Sequence, residues 1–128
     1  MMSEGYPVKK YDNPVKRYCQ ILEIADNPEL IALYKECHSK DKHWKEIRES
    51  IRSVGILEME MYISSNKVFM IVETELDFNW EDSMNRLASM PRQAEWEEFV
   101  AKLQGCEPQA TSAQKWMPME RMFHLYDD

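Results

Sequence analysis

A tyrosine and a histidine at helical spacing are the first side chains in this sequence whose types could do chemistry. Tyr34 and His38 are four residues apart in a segment whose apolar residues recur at helical spacing, so they share one face of a predicted helix. An imidazole can donate or accept a proton near neutral pH, and a neighbouring phenol can position a hydroxylated ligand. The spacing alone fits an amphipathic helix surface without catalytic function better.

The other aromatic and histidine side chains are weaker candidates. Trp96 lies early in a predicted helix, where its indole ring could project into a cavity and pack against the apolar face of a sugar, or simply fill the core. We expect His43 to be solvated or to cap a helix, and His124 to be a core residue on a strand. Three further tryptophans are expected in the core or at an interface: Trp44, Trp80 and Trp116.

Motifs for a metal, a nucleotide or a serine nucleophile are missing from the sequence. Cys37 and His38 are adjacent, but no CxxC, HExxH or second Cys/His cluster accompanies them. The chain has 3 glycines in total, which excludes the glycine-rich phosphate loops, and it has no GxSxG motif. We therefore expect no metal and no cofactor.

The elements that must position these residues follow the order strand, helix, strand, strand, helix, strand. The first helix begins at Asn27-Pro28, breaks at residues 39–41 and closes at Gly55. A second helical region has two parts, Asn79 to Met90 and a helix starting at Pro91. The predicted strands are Arg17 to Ile24, Ile56 to Ile63, Val68 to Thr74 and Met119 to Leu125.

This order predicts an α+β fold of the ferredoxin-like βαββαβ type, an antiparallel sheet with helices on one face. Val68 to Val72 carry apolar side chains on both faces of the sheet, so the face without helices needs a cover. A second copy packed sheet against sheet would provide it, which predicts a homodimer forming a dimeric α/β barrel. We assign residues 1–14 to a flexible polar tail and 15–128 to a single domain.

Length and charge set limits on function. The chain has 128 residues, with 16 Lys and Arg against 23 Asp and Glu and a net charge of −7, which argues against a nucleic-acid partner. Apolar runs fall well short of the roughly 20 residues that span a bilayer, so no membrane association is expected. The odd number of widely spaced cysteines, 3, predicts reduced thiols and a cytoplasmic protein.

The order of several short motifs, from Arg17 to Leu125, resembles the L-rhamnose mutarotase family. The likeness includes Tyr-x-x-x-His at Tyr34 to His38, followed by Trp44. It continues through a strand that opens at Gly55 and ends in Tyr62, then Asn66-Lys67-Val68-Phe69 into Val72-Glu73, Trp96 in a helix and the closing Glu-x-x-Phe-x-Leu at Glu120 to Leu125.

The resemblance implies a small dimeric ferredoxin-like isomerase, without a cofactor, that interconverts the α and β anomers of a deoxy-sugar pyranose such as L-rhamnose. It makes His38 the proton donor and Tyr34 a contact to the sugar. Two consecutive family tryptophans that contact the substrate fall on Trp96 and Glu97, and a second family tyrosine falls on Met59. The predicted substrate-binding positions are therefore Tyr34, Trp96, Glu97 and Met59.

Three functions stay open at this point. The first is the mutarotase, in which the base is a water or a carboxylate such as Glu58 or Glu60. The second is a non-catalytic dimeric barrel that binds a sugar or a protein partner, suggested by the changes at Glu97 and Met59. The third is a monooxygenase of the same architecture, which topology alone supports.

Overall fold

A computed structural model of the chain describes residues 4–127, and within that range it has four strands and five helices. The strands are β1 (Val15–Glu23), β2 (Ile56–Ser64), β3 (Lys67–Glu75) and β4 (Met117–Pro118). The helices are α1 (Pro28–Cys37), α2 (Lys45–Ser53), α3 (Trp80–Ala88), α4 (Gln93–Gln104) and α5 (Ser112–Lys115). Of these helices, α4 is the longest at 12 residues, and none in the described range is long and apolar enough to cross a membrane.

The strands form one antiparallel sheet in the order β2-β3-β1-β4. Val72 of β3 lies opposite both Tyr18 of β1 and Met59 of β2, so these three side chains share one face. The order of strands is that of a ferredoxin-like fold, which confirms the predicted α+β class with its antiparallel sheet.

The helices pack on one face of the sheet because alternate strand residues are apolar there. One buried cluster joins Leu22 and Val68 of the sheet to Tyr34 of α1 and Val100 of α4. A second buried cluster places Val72 beside residues of α3 and of the turn that ends α2. The face that carries these residues is therefore the one that encloses the interior of the domain.

Local sequence signals set most of the helix boundaries. The Asn27 side chain accepts hydrogen bonds from the backbone N–H groups of Glu29 and Leu30, and Pro28 occupies the first position of α1, as predicted. The chain turns between α1 and α2 as predicted, but α4 begins at Gln93 rather than at Pro91. Arg92 precedes it with a φ of 65°, a left-handed conformation that cannot continue a right-handed helix.

The predicted last strand, Met119 to Leu125, is wrong. The observed strand is β4, which pairs with Gln20 and Ile21 of β1, and the Met119 N–H then donates to the Cys19 carbonyl at 2.8 Å. Beyond that bond, no strand pairing is formed within the described residues. The apolar residues of this segment have no sheet face of their own chain to cover, and their exposure shows it.

That exposure is large at two positions in the C-terminal segment. Met122 is 92% exposed and Phe123 is 70% exposed. The neighbouring His124 is also exposed, and its Nδ1 lies 2.9 Å from Oδ1 of Asp127, so the prediction of a core histidine on a strand is wrong as well. The apolar residues of this segment are not covered by the described part of their own chain.

The N-terminal residues 4–14 form no helix or strand, yet they contact the face of the sheet without helices. The Tyr11 hydroxyl donates to Oε1 of Glu73 at 3.0 Å, and the rings of Tyr6 and Tyr62 lie 5.7 Å apart, centre to centre. The same face carries the half-buried side chains of Phe69 and Ile71, and we call it the open face.

Candidate active site

A cavity of about 410 Å³ lies between the sheet and the helices, within the range of small-molecule sites, roughly 300–1,000 Å³. The five residues predicted from the sequence for the site all line it: Tyr34, His38, Met59, Trp96 and Glu97. They come from α1, the turn after it, β2 and α4, so the fold brings together side chains that are up to 63 positions apart, 97 minus 34. In the described part of the chain, no three His, Cys, Asp or Glu side chains are grouped as in a metal site.

His38 is held in place by the end of α1. It is the residue at which the helix stops, and its Nδ1 lies 2.7 Å from the backbone carbonyl oxygen of Tyr34, one turn earlier. The Cys37 thiol donates to the same carbonyl at 3.1 Å. Both side chains thus satisfy a carbonyl that the terminated helix leaves without its usual N–H partner.

The contact to the carbonyl decides which ring nitrogen of His38 is available. A carbonyl oxygen can only accept, so Nδ1 carries the hydrogen, and Nε2 of the neutral ring is left with a lone pair. The pKa of His38 is lowered, first by burial and also by the nearby Arg48 cation, although the hydrogen bond to Tyr34 opposes this shift. At neutral pH the imidazole is therefore uncharged and able to accept a proton at Nε2.

Tyr34 is buried, with its hydroxyl inside the cavity wall. Nε2 of Gln104 donates to the Tyr34 hydroxyl oxygen at 3.3 Å, and burial raises the pKa of the phenol well above its usual value. The hydroxyl keeps its proton as a result and can donate it in a hydrogen bond. The Tyr34 and His38 rings lie 4.6 Å apart, centre to centre.

Aromatic rings form a continuous wall beside His38. The Trp96 ring lies 5.3 Å from the His38 ring and 5.1 Å from the Trp44 ring, and Phe99 stacks on Trp44 at 5.4 Å. The Arg92 guanidinium sits 4.2 Å from the centre of the Trp44 ring, a cation–π contact that holds the outer end of the wall. An indole face next to a proton-transferring group is a suitable surface for the C–H face of a sugar.

Glu97 is the centre of a buried hydrogen-bond network. Its Oε2 accepts from Nζ of Lys115 at 2.8 Å, and its Oε1 accepts from Oγ of Ser112 at 2.8 Å and from Nε2 of Gln93 at 3.1 Å. The Lys115 side chain is 0% exposed and that of Glu97 is 19% exposed, so this is an interior ion pair. The carboxylate forms a rigid polar section of the cavity wall.

The opposite wall is formed by the sheet and is largely apolar. Met59 projects into the cavity with Met61 and Met70, as the alternation in β2 predicted. The two carboxylates considered as bases both belong to the open face. Glu58 pairs opposite Glu73 next to an irregularity of β2, and its charge acts on Tyr11. Oε2 of Glu60 accepts from the Tyr62 hydroxyl at 3.2 Å.

Three cavity residues were not anticipated from the sequence. Among the described residues, the buried side-chain polar atoms that have no hydrogen-bond partner are Nδ1 of His43, Oε1 of Gln93 and Oε1 of Gln104, and all three residues line the cavity. His43 is thus not the solvated or capping residue that was expected. A buried polar atom without a partner is costly, so this cavity is suited to a polar ligand.

The sequence model of one family, the L-rhamnose mutarotases, matches residues 17–125. The chain belongs to the L-rhamnose mutarotase family. Mutarotases of sugars are isomerases, so the predicted enzyme class is confirmed at the level of the family. The non-catalytic barrel is not favoured by this finding.

Two relatives and one solved structure are similar to this chain over most of its length. The chain is 29% identical over 111 residues to an L-fucose mutarotase from Xanthomonas campestris pv. campestris, covering 87% of this chain and 89% of that protein. It is 29% identical over 114 residues to a UPF0734 protein from Dictyostelium discoideum, covering 86% and 90%. The crystal structure of an L-rhamnose mutarotase from Formosa agariphila has the same fold, with a TM-score of 0.63 at 19% identity over 86% of this chain and 98% of that one.

Proposed function

We propose that this protein interconverts the α and β anomers of a 6-deoxyhexose pyranose, with L-rhamnose as the first substrate to test. The observation that carries the proposal is the His38 imidazole, whose Nε2 is left available and whose ring lies beside the Tyr34 and Trp96 rings in one cavity. Relatives named for L-rhamnose and L-fucose support the same class of sugar, because both are 6-deoxyhexoses.

Mutarotation by His38 needs only the transfer of one proton between two neighbouring oxygens. Neutral Nε2 takes the proton of the anomeric hydroxyl as C1–O1 becomes a carbonyl. The ring C1–O5 bond breaks, and the imidazolium gives the proton to O5. Rotation about C1–C2 then presents the other face of the aldehyde, and the reverse steps close the ring. The lowered pKa of His38 keeps the starting imidazole neutral at pH 7.

The remaining cavity residues are proposed to bind and orient the sugar. Trp96 would contact its apolar face, and the Tyr34 hydroxyl, which keeps its proton, would donate to a sugar oxygen. Glu97 would present its fixed carboxylate at the polar side of the cavity, and Met59 would pack against the sugar from β2.

NMR exchange spectroscopy between the two anomer signals of L-rhamnose tests the proposal. We expect the protein to accelerate exchange, and we expect His38→Ala to remove about 10²–10⁴-fold of that acceleration. Lys35→Ala is the matched control, because Lys35 is an exposed side chain on the same helix and does not line the cavity. Equal exchange rates for wild type and His38→Ala would refute this mechanism, and binding without faster exchange would support a non-catalytic barrel.

The working unit is proposed to be a homodimer. The open face carries half-buried Phe69 and Ile71, and the C-terminal segment exposes Met122, Phe123 and, at 66%, Leu125. Apolar surface of this kind on a folded chain is typical of an interface. A second copy packed on the open face would cover it and would give the C-terminal segment a sheet to extend.

Light scattering coupled to size exclusion measures the mass directly. We expect twice the chain mass of 15.3 kDa for the wild type and a shift toward the single-chain mass for Phe123→Asp. Leu33→Asp provides the control, since Leu33 is an exposed apolar residue on α1 rather than on the proposed interface. A wild-type mass of one chain at micromolar concentration would contradict the dimer.

A cytoplasmic location is also proposed. All three cysteines are free in the structure: Cys19, Cys37 and Cys106. Proteins in oxidising compartments commonly pair their cysteines, so free thiols support a reducing one. Fractionation of the expressing cell followed by thiol labelling checks this location.

A further inference from the structure

Gln93 carries a buried hydrogen-bond acceptor whose direction is fixed by its neighbour. The side chain is buried, and its Nε2 donates to the Glu97 carboxylate at 3.1 Å. A carboxylate can only accept, so the amide cannot be reversed, and its Oε1 must point away from Glu97. That oxygen is buried and has no partner within the described residues.

Gln104 provides an informative contrast. Its amide also has an unpartnered oxygen in the cavity, but its neighbour is the Tyr34 hydroxyl, which can both donate and accept. The orientation of the Gln104 amide is therefore not imposed by that contact. Of the two glutamines with an unpartnered side-chain oxygen among the described residues, only Gln93 has a contact that fixes the orientation of its amide.

We propose that Oε1 of Gln93 accepts a hydrogen bond from one hydroxyl of the bound sugar and selects substrates that carry a hydroxyl at that position. The inference rests on the proposed function and names a specificity residue for it. Gln93 and Trp96 lie three residues apart in the first turn of α4, so their side chains are neighbours. A sugar ring packed on Trp96 thus presents the hydroxyls of its rim toward Gln93.

Glu97 acts as the positioning residue for this contact. Lys115 donates to both the carboxylate and the backbone carbonyl of Glu97, at 2.8 and 3.1 Å, and Ser112 donates to the carboxylate at 2.8 Å. Because Glu97 is held on three sides, its contact to Gln93 fixes the amide before any ligand binds. Because the amide is already fixed, less conformational entropy is lost when the sugar hydroxyl binds to Oε1.

The test combines one substitution with a set of sugar analogues. Calorimetry measures the dissociation constants of L-rhamnose and of its 2-deoxy, 3-deoxy and 4-deoxy analogues for wild type, Gln93→Met and the control Gln109→Met. Methionine keeps the length of the side chain and removes its acceptor, and Gln109 is exposed and outside the cavity. Thermal unfolding of each variant confirms that it folds.

We expect one deoxy analogue to bind the wild type about tenfold to a hundredfold more weakly than L-rhamnose. Gln93→Met should weaken L-rhamnose by a similar factor and remove the difference between L-rhamnose and that analogue. The other two analogues should keep their wild-type ratios in the variant, which a merely structural defect would not produce.

Two results would overturn the inference about Gln93. One is an equal loss of affinity for all four sugars in Gln93→Met, and the other is unchanged affinity for L-rhamnose. Because calorimetry reports binding without requiring exchange, these results are separate from failure of the mutarotase activity itself. A wild type that binds sugar but does not speed exchange would overturn the proposed function and leave the Gln93 comparison intact.

Discussion

Replacing Glu97 with methionine should destabilise the fold by about 3–5 kcal/mol, because it leaves a charged amine in the interior without its counter-ion. The Lys115 side chain is 0% exposed, and its Nζ has two acceptors in the wild type, the Glu97 carboxylate at 2.8 Å and the Glu97 carbonyl at 3.1 Å. The substitution keeps the carbonyl and removes the carboxylate. The amine, which is not exposed to solvent in the wild type, then has no charged partner.

The size of the effect depends on which partner is removed. Lys115→Met leaves the carboxylate with donors from Gln93 and Ser112 and with 19% exposure, so we expect a smaller cost of about 1–3 kcal/mol. The double variant Glu97→Met/Lys115→Met removes both charges and should recover most of the stability, since apolar replacement of a buried pair is often neutral. The coupling in this cycle is expected to exceed about 2 kcal/mol.

Urea unfolding at one fixed protein concentration measures all four free energies of unfolding. A loss of 3–5 kcal/mol corresponds to a fall in melting temperature of roughly 10–20 °C for a chain of this size. A cost of less than about 0.5 kcal/mol for Glu97→Met, or a double variant in which the two single losses add up, would contradict this prediction. Either result would mean that water or a rearranged side chain compensates the Lys115 charge.

Three further predictions concern the cavity and its support. The exchange rate should rise with pH through the pKa of His38, which is lowered from the ordinary 6.5, and should stay level at higher pH. Arg48→Met should move this rise to higher pH, because the Arg48 cation opposes protonation of His38. Rates measured from pH 4 to 8 check both, and an unshifted profile would exclude Arg48 as a cause. Tyr34→Phe should slow exchange. It should also lower the free energy of unfolding in urea by about 1–3 kcal/mol, because the Gln104 amide loses its hydrogen-bond partner. A smaller loss would mean that the amide finds another partner. Gly105→Ala should cost about 1–2 kcal/mol, because Gly105 has a φ of 75° and its added Cβ would lie 3.2 Å from an alanine side chain; a neutral result would show that the loop yields.

The parts of the fold that the sequence predicts well are those that depend on neighbours along the chain. The start of α1 at Asn27-Pro28 and the alternation in β2 from Met59 to Ile63 are local signals, and both were confirmed. The irregularity between Ile56 and Glu58 interrupts the alternation before Met59, so it does not extend to Leu57 as predicted. Met119 to Leu125 was wrong for a different reason. A short segment with apolar residues does not say which surface covers those residues or whether this surface belongs to the same chain.

The candidate site shows the same difference between contacts that are local in the sequence and contacts that are not. The spacing of Tyr34 and His38 placed them together, whereas their meeting with Trp96 could be expected only from the family resemblance. The sequence did not indicate Gln93 as a site residue, because a polar residue at the start of a helix is normally exposed. Its spacing of four to Glu97 was the only local signal, and Lys115, buried on a separate short helix, had none.

The bond from His38 Nδ1 to the Tyr34 carbonyl makes the length of α1 a catalytic variable. If α1 continued by one more turn, the Tyr34 carbonyl would also accept the backbone N–H at position 38, which would compete with the imidazole for the oxygen that fixes its tautomer. The point at which this helix stops therefore determines which ring nitrogen of His38 carries the hydrogen. We therefore expect insertions or deletions between the two residues to be more damaging than substitutions of the exposed residues there, even where every cavity side chain is kept.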